Sequence, residues 1–124
     1  MCIGSVPAYA AQVANTWNGS SSTDWATATN WDAGAVPTNQ HNITIPTGLS
    51  NYPVLSAAGV CRTIVSMDAG ASISGAGVLT ISNAATTTIT GTATISCPIT
   101  STIITIFSLT SSTDNLTISG IISG

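Results

Sequence analysis

Charged residues are scarce in this sequence. Arg62 is its one strong cation and its acids are Asp24, Asp32, Asp68 and Asp114, so that 4% of the 124 residues are charged, against about a quarter in typical soluble domains. With a net charge of -3, the chain has no electrostatic basis for binding a phosphate backbone, which excludes nucleic acid as a partner. Long apolar runs are also missing, and no window approaches the roughly 20 apolar residues of a transmembrane segment.

The residues needed for catalysis or metal binding are equally few. The chain has no Lys and one histidine, His41, and it lacks the G-x-S-x-G motif of a serine nucleophile. Glycoside hydrolysis requires two carboxylates that face one bond, whereas Asp24 and Asp32 are both expected in turns. No Asp-rich loop has the ligand spacing of a calcium site. We therefore expect a non-enzymatic protein without metal or cofactor, and we expect His41 to be a surface residue at the start of a strand.

Cysteine is rare and its spacing matches no zinc motif. The three cysteines are Cys2, Cys61 and Cys97, an odd number that cannot pair completely within one chain. Two interpretations of Cys61 and Cys97 stay open at this point. They form a disulfide in an oxidising compartment, or they are small apolar residues buried in the core.

Composition divides the chain into three regions. Residues 1–11 contain Ala-Tyr-Ala, a pattern typical of a secretory cleavage site, and are expected to be a signal-peptide remnant or an N-terminal arm. Residues 12–53 hold all three tryptophans and are predicted to cap the fold. Residues 54–124 are rich in Ser, Thr and Ile, a strand composition. Hydroxyl groups in place of charges are typical of secreted and cell-surface β proteins.

A short phrase recurs in the last region. It reads ASIS at 71–74, ATIS at 93–96 and LTIS at 116–119. Successive copies therefore recur with a period of about 22 residues, and a fixed period of this length is the signature of stacked structural repeats. Within one period, pairs of a hydroxyl residue and Ile begin at Ser72, Thr80 and Thr88, between corners rich in Gly, Asn or Ala.

This period predicts an all-β fold, a three-faced parallel β-solenoid of about three rungs. An antiparallel β-sandwich is the alternative, because short strands at a spacing of roughly 8–12 residues also suit it. A sandwich predicts no fixed period, however, and it favours Asn-Gly hairpin turns. The one Asn-Gly pair, at residues 18–19, lies outside the repeated region, which favours the solenoid.

Stacked rungs would align residues that lie one period apart, and neighbouring strand residues face opposite sides of a sheet. The predicted ladders are an internal one of Ile73, Ile95 and Ile118, a second internal one of Ile81 and Ile103, and an outward one of Ser72, Thr94 and Thr117.

Two segments carry a family resemblance. The stretch TWNGSSSTDWATATNWDAGAVPTNQHNITIP at 16–46 and the stretch NLTISGIISG at 115–124 resemble secreted bacterial surface proteins with autotransporter-associated β-strand repeats. The resemblance implies a right-handed parallel β-helix of the passenger or adhesin type, which serves as a stalk, adhesin or surface-layer component. This chain lacks the membrane barrel and the long repeat array of the full-length pattern.

Aromatic and hydroxyl residues offer two further binding alternatives. Trp17, Trp25 and Trp31 suit stacking on sugar rings, although closure of the open solenoid end is the interpretation we favour, since terminal repeats need capping. An ice-binding array is the other alternative. Its candidate residues are Thr86, Thr88, Thr90, Thr92 and Thr94. Three sequons give candidate glycosylation sites. They begin at Asn18, Asn42 and Asn115.

The sequence as a whole predicts a secreted or cell-surface structural protein. It would serve as a scaffold, fibre subunit or adhesin stalk, built by stacking of solenoid rungs. Its last rung would continue into a longer solenoid or associate head-to-tail with another copy, because an exposed strand edge templates pairing. Surface glycans are candidate partners, and a carbohydrate-binding or ice-binding module is the alternative function.

Overall fold

The structure is a computed structural model that describes residues 12–83, 85–101 and 106–123. Its secondary structure in these ranges consists of short strands and one 3-10 helix, Ala28–Asn30. No helix in this part of the chain has the length and apolar character needed to cross a membrane. The strands are β1 Val13–Thr16, β2 His41–Ile45, β3 Val54–Leu55, β4 Gly59–Cys61, β5 Thr63–Met67, β6 Ser72–Gly75, β7 Leu79–Ile81, β8 Thr86–Ile89, β9 Thr92–Ile95, β10 Ile99–Ser101, β11 Ile106–Leu109, β12 Asn115–Ile118 and β13 Ile122–Ser123.

The strands form three parallel sheets. Face 1 has the order β1-β2-β5-β8-β11, face 2 the order β3-β6-β9-β12 and face 3 the order β4-β7-β10-β13. Every third strand therefore returns to the same face, and the path from β2 to β11 completes three turns. This architecture confirms the parallel β-solenoid and excludes the antiparallel sandwich.

The ladder predictions are confirmed on face 2. Ile73 pairs with Ile95, and Ile95 pairs with Ile118. The outward hydroxyls follow the same register, with Ser72 beside Thr94 and Thr94 beside Thr117.

The predicted ladder of Ile81 and Ile103 is wrong, because Ile81 pairs with Ser101. Ile103 itself lies outside the described residues. The difference arises at the corner between faces 2 and 3, which is shorter in the later rung. The corner from Ile73 leads to Leu79, whereas the corner from Ile95 leads directly through Cys97 and Pro98 to Ile99, the partner of Leu79. Because this corner is two residues shorter, the partner of each face 3 residue lies two positions earlier in the sequence than a constant period predicts.

One β-bulge interrupts face 1. Ile43 pairs with Ile64 but Thr44 pairs with Ser66, so Val65 is the extra residue and is 45% exposed. A bulge leaves a ladder group unpaired. The buried Thr87 hydroxyl of the next rung donates to the Ile64 carbonyl at 2.7 Å. A threonine hydroxyl within the core therefore binds the backbone of the residue that precedes the bulge.

The core consists of stacked apolar side chains that point into the solenoid. Ile43, Ile64 and Ile89 line face 1, Ile73 and Ile95 line face 2, and all are buried. Burial of an aliphatic side chain of this size stabilises a fold by about 1.5–3 kcal/mol. Since each rung repeats the same layer, stability accumulates along the axis.

The disulfide interpretation of Cys61 and Cys97 does not hold, because both are free and buried thiols. Cys61 ends β4, whereas Cys97 follows β9. The rung of β5, β6 and β7 therefore lies between the rungs that hold the two cysteines. With strands about 4.8 Å apart, the two Cα atoms are about 9 Å apart along the axis alone, which exceeds the reach of a disulfide. Burial raises the pKa of the Cys61 thiol to about 12 and also raises the pKa of Cys97. Both cysteines are therefore apolar core residues.

Candidate functional site

The N-terminal end of the solenoid is closed by a cluster of three buried indoles, Trp17, Trp25 and Trp31, which we call the tryptophan cap. The ring of Trp31 makes edge-to-face contacts with Trp17, at a centroid distance of 5.0 Å, and with Trp25, at 4.9 Å. Such pairs add about 0.5–1.5 kcal/mol each beyond the area that they bury.

The tryptophan cap lies directly on the first complete rung. Trp17 Nε1 donates to the Asn51 carbonyl at 2.8 Å, and the backbone of Trp25 pairs with the start of β3 through Val54, at 3.1 Å. A methyl group added to Gly59 would lie 2.8 Å from Trp25 Nε1, so the indole sits against the start of β4. These contacts are those expected of an end cap. Since the indoles are buried, none of them offers a free face for stacking on a sugar.

Asn30 organises the loop that carries the cap, and the sequence did not single it out. Its buried side chain accepts hydrogen bonds from the backbone of Ser21 at 2.8 Å and of Ser22 at 2.9 Å. It also donates to the Asp24 carbonyl at 2.9 Å. A buried Asn and a surface turn Asn are indistinguishable in one sequence, because both occur among Ser, Thr and Asp. The position next to Trp31 was the only available signal.

The expectation that His41 lies on the surface is wrong, because its side chain is buried. Asn15 donates from Nδ2 to His41 Nδ1 at 3.0 Å and to the Ala35 carbonyl at 2.9 Å. Its Oδ1 accepts from the Ala33 amide at 3.1 Å, so backbone partners fix the orientation of the amide. The contact between Asn15 and His41 thus links β1 to the first residue of β2. The described residues contain no group of three or more metal-ligating side chains.

The carboxylates of Asp24 and Asp32 accept hydrogen bonds from backbone amides. Asp24 accepts from the Ala26 amide at 3.1 Å, and Asp32 accepts from the Thr16 amide at 2.6 Å. Each carboxylate thus stabilises a different segment of the cap.

Asp114 anchors the corner between β11 and β12. It accepts hydrogen bonds from the Thr110 hydroxyl, from the Gly91 amide at 2.7 Å and from the Ser111 amide at 2.7 Å. The Thr110 hydroxyl, followed by the Gly91 amide, lowers the pKa of the Asp114 carboxyl. Since Gly91 belongs to the preceding rung, this carboxylate ties two successive corners together.

The five threonines proposed for ice binding are divided between two faces. Thr86 and Thr88 lie on face 1, in β8, whereas Thr92 and Thr94 lie on face 2, in β9. Thr90 lies in the connection between β8 and β9. On face 1, Thr88 is flanked by Ser66 and Ser108. The five residues therefore form no single array.

The candidate glycosylation sites differ in exposure. Asn115 is exposed, whereas Asn18 and Asn42 are half-buried. Asn18 accepts a hydrogen bond from the Ser20 amide at 2.9 Å. The Asn42 side-chain carbonyl oxygen accepts from Arg62 at 3.2 Å. Asn115 is thus the most accessible of the three.

The last described rung has more exposed apolar side chains than the rungs before it. Along one ladder of face 3, Leu79 is 0% exposed, Ile99 is 3% exposed and Ile122 is 60% exposed. Face 2 shows the same trend, since Ile73 and Ile95 are buried but Ile118 is half-buried. Ile121 is 76% exposed. We call the strands β11, β12 and β13 the open rung.

These features define the class of the protein as a parallel β-solenoid with a buried tryptophan cluster beside its first complete rung. The chain belongs to the family described as Domain of unknown function (DUF8693), whose pattern matches residues 16–119. That match spans the tryptophan cap and all strands from β2 to β12. No curated protein and no solved structure matches the chain.

Proposed function

We propose that this chain is a non-enzymatic structural module of an extracellular or cell-surface assembly. Its role is to build an elongated scaffold, as a fibre subunit or stalk, by stacking the open rung on another copy. The 60% exposure of Ile122, which pairs with the buried Ile99, carries this proposal. Apolar surface of this kind marks an interaction site.

The backbone of the open rung supports the same function. Among the described residues, β11, β12 and β13 pair only with the preceding rung. Strand edges of this kind present amide and carbonyl groups that a further strand can pair with. At the other end of face 1, β1 pairs only with β2 in the described part of the chain. A contact between two different ends does not close on itself, so it produces an open fibre.

The open rung carries little charge, since Asp114 is the one charged side chain from β10 to the end of the sequence. The low overall charge and the outward hydroxyls support an extracellular location. The resemblance of residues 16–46 and 115–124 to bacterial surface proteins agrees with this location.

The test is electron microscopy and sedimentation of the purified chain with two matched variants. Ile122→Lys places a charge on the open rung, whereas Val65→Lys places one on the exposed bulge at the side. We expect the wild-type chain and Val65→Lys to form regular fibres or end-to-end oligomers. Ile122→Lys should remain monomeric with an unchanged circular dichroism spectrum.

Two results would contradict the proposal. If the wild-type chain stays monomeric at high concentration, the open rung does not bind a second copy. Equal assembly by Ile122→Lys and Val65→Lys would show that association does not use the open rung.

A further inference from the structure

Face 2 carries a two-dimensional set of outward hydroxyl groups. In β9, Thr94 lies beside Ser72 on one side and beside Thr117 on the other. Two residues further along each strand, the same register aligns Ser74, Ser96 and Ser119. The Ser96 amide donates to the Ile73 carbonyl, and the Ser119 amide donates to the Ile95 carbonyl, so the register continues to these serines. We call these residues, with Thr92, the hydroxyl array. Its members are Ser72, Ser74, Thr92, Thr94, Ser96, Thr117 and Ser119.

The geometry of the hydroxyl array is set by the backbone. Neighbouring parallel strands lie about 4.8 Å apart, and every second residue along a strand is about 6.6 Å further on. The pairings of β6 with β9 and of β9 with β12 contain no register shift. The hydroxyls therefore sit on a regular grid held by buried ladders beneath them.

Neither of the other faces provides such a grid. On face 1, Thr44, Ser66, Thr88 and Ser108 form one column of hydroxyls. The positions beside this column are mixed, because Thr86 pairs with Ile106 and the Thr110 hydroxyl donates to Asp114. On face 3, the hydroxyls of Thr100 and Ser123 lie 3.2 Å apart and bond to each other.

The hydroxyls of the array are available to an external partner. All seven are half-exposed or exposed, and none of their side chains forms a hydrogen bond within the described part of the chain. Other hydroxyls in the molecule are engaged, such as Thr47, which donates to the Ala69 carbonyl at 2.6 Å. The array thus differs in its hydrogen bonding from hydroxyls that stabilise turns.

We propose that the hydroxyl array is a binding surface for ice. A rigid, uncharged grid of hydroxyls matches a lattice of water molecules, which repeats at similar intervals and presents both donors and acceptors. Because the backbone already fixes the grid, binding would cost little conformational entropy. A polysaccharide is less suited to this face, since sugar rings stack on aromatic side chains and the three indoles are buried in the tryptophan cap.

This inference is independent of the proposed scaffold function, because face 2 lies on the side of the solenoid and the open rung lies at its end. Stacking of copies would lengthen the array without covering it.

The test compares two tyrosine variants on central strands. Thr94→Tyr projects a bulky ring from the middle of the hydroxyl array, whereas Thr88→Tyr projects the same ring from face 1. Ice-crystal shaping, thermal hysteresis and partition into growing ice are measured for each chain. We expect activity in the wild-type chain and in Thr88→Tyr, and its loss in Thr94→Tyr. Thr117→Tyr, at an exposed position of the array, should lose activity as well and serves if Thr94→Tyr does not fold.

Three results would overturn the inference. These are no effect of the wild-type chain on ice, equal loss of activity in Thr88→Tyr and Thr94→Tyr, and binding to crystalline cellulose or chitin without any effect on ice. The last would identify the face as a polysaccharide-binding surface. Fibre formation measured on the same samples tests the scaffold function separately.

Discussion

At the scale of single residues, the spacing between rungs decides which side chains the corners tolerate. Gly75 ends β6 with a φ of 110°, and a methyl group there would overlap the backbone carbonyl of Leu55 in the preceding rung. Gly48 also has a positive φ, 76°, but nothing lies within 4 Å of the added methyl group. An added methyl group therefore meets only an unfavourable backbone conformation at Gly48, whereas at Gly75 it also meets the backbone of the preceding rung.

We predict that Gly75→Ala destabilises the protein by about 1–3 kcal/mol more than Gly48→Ala does. Gly48→Ala should cost about 1 kcal/mol, the usual penalty for a side chain in the left-handed region. Gly75→Ala adds overlap with backbone that cannot move without separating two rungs, and overpacking alone costs about 1–3 kcal/mol. Urea unfolding of both variants measures the difference. Equal losses in the two variants would mean that stacking at Gly75 is not tight.

At the scale of elements, the corners are held by specific hydrogen bonds as well as by the ladders. Thr47 and Asp114 each connect a corner with the corner of a neighbouring rung. Asp114 does so through its charge, since three donors face its carboxylate.

We predict that the corner between β11 and β12 loosens at acid pH. The lowered pKa of Asp114 means that its contribution to stability is complete above the ordinary pKa of an aspartate and is lost as the pH falls through the lowered value. In an NMR titration, the amide of Gly91 should shift together with the Asp114 carboxyl. In Asp114→Asn, the Gly91 shift should become independent of pH over this range. A Gly91 amide that still titrates in the variant would show that another group is responsible.

At the scale of the whole molecule, stability follows position along the axis. Each rung contacts only its neighbours, so the energy of the fold is approximately a sum over rungs and interfaces. Middle rungs have two neighbours and a buried ladder. The open rung has one neighbour in the described structure and an exposed Ile122.

We predict a gradient of amide hydrogen exchange along the solenoid. At low protein concentration, β12 and β13 should exchange faster than β6 and β9, because local opening costs least where few apolar contacts are lost. At high concentration, stacking of copies should slow exchange in the open rung and leave the middle rungs unchanged. Uniform protection at low concentration would contradict the gradient.

The repeating part of the architecture can be read from the amino-acid sequence. A period of about 22 residues requires rungs that return to the same place, and three hydroxyl-Ile pairs per period require three faces. The pairing of Ile73, Ile95 and Ile118 follows from it. The alternation of Ser or Thr with Ile also specifies which side chains point outward, since this depends only on the two-residue repeat of a strand.

Features that depend on the length of corners and on contacts between distant segments emerge only in three dimensions. A corner two residues shorter placed Ser101, and not Ile103, beside Ile81. Stacking separated Cys61 from Cys97 by a complete rung, and it buried His41 against Asn15. It also divided the threonines between two faces. Corners and caps set these positions, because their conformation depends on the rung beneath them and no local repeat specifies it.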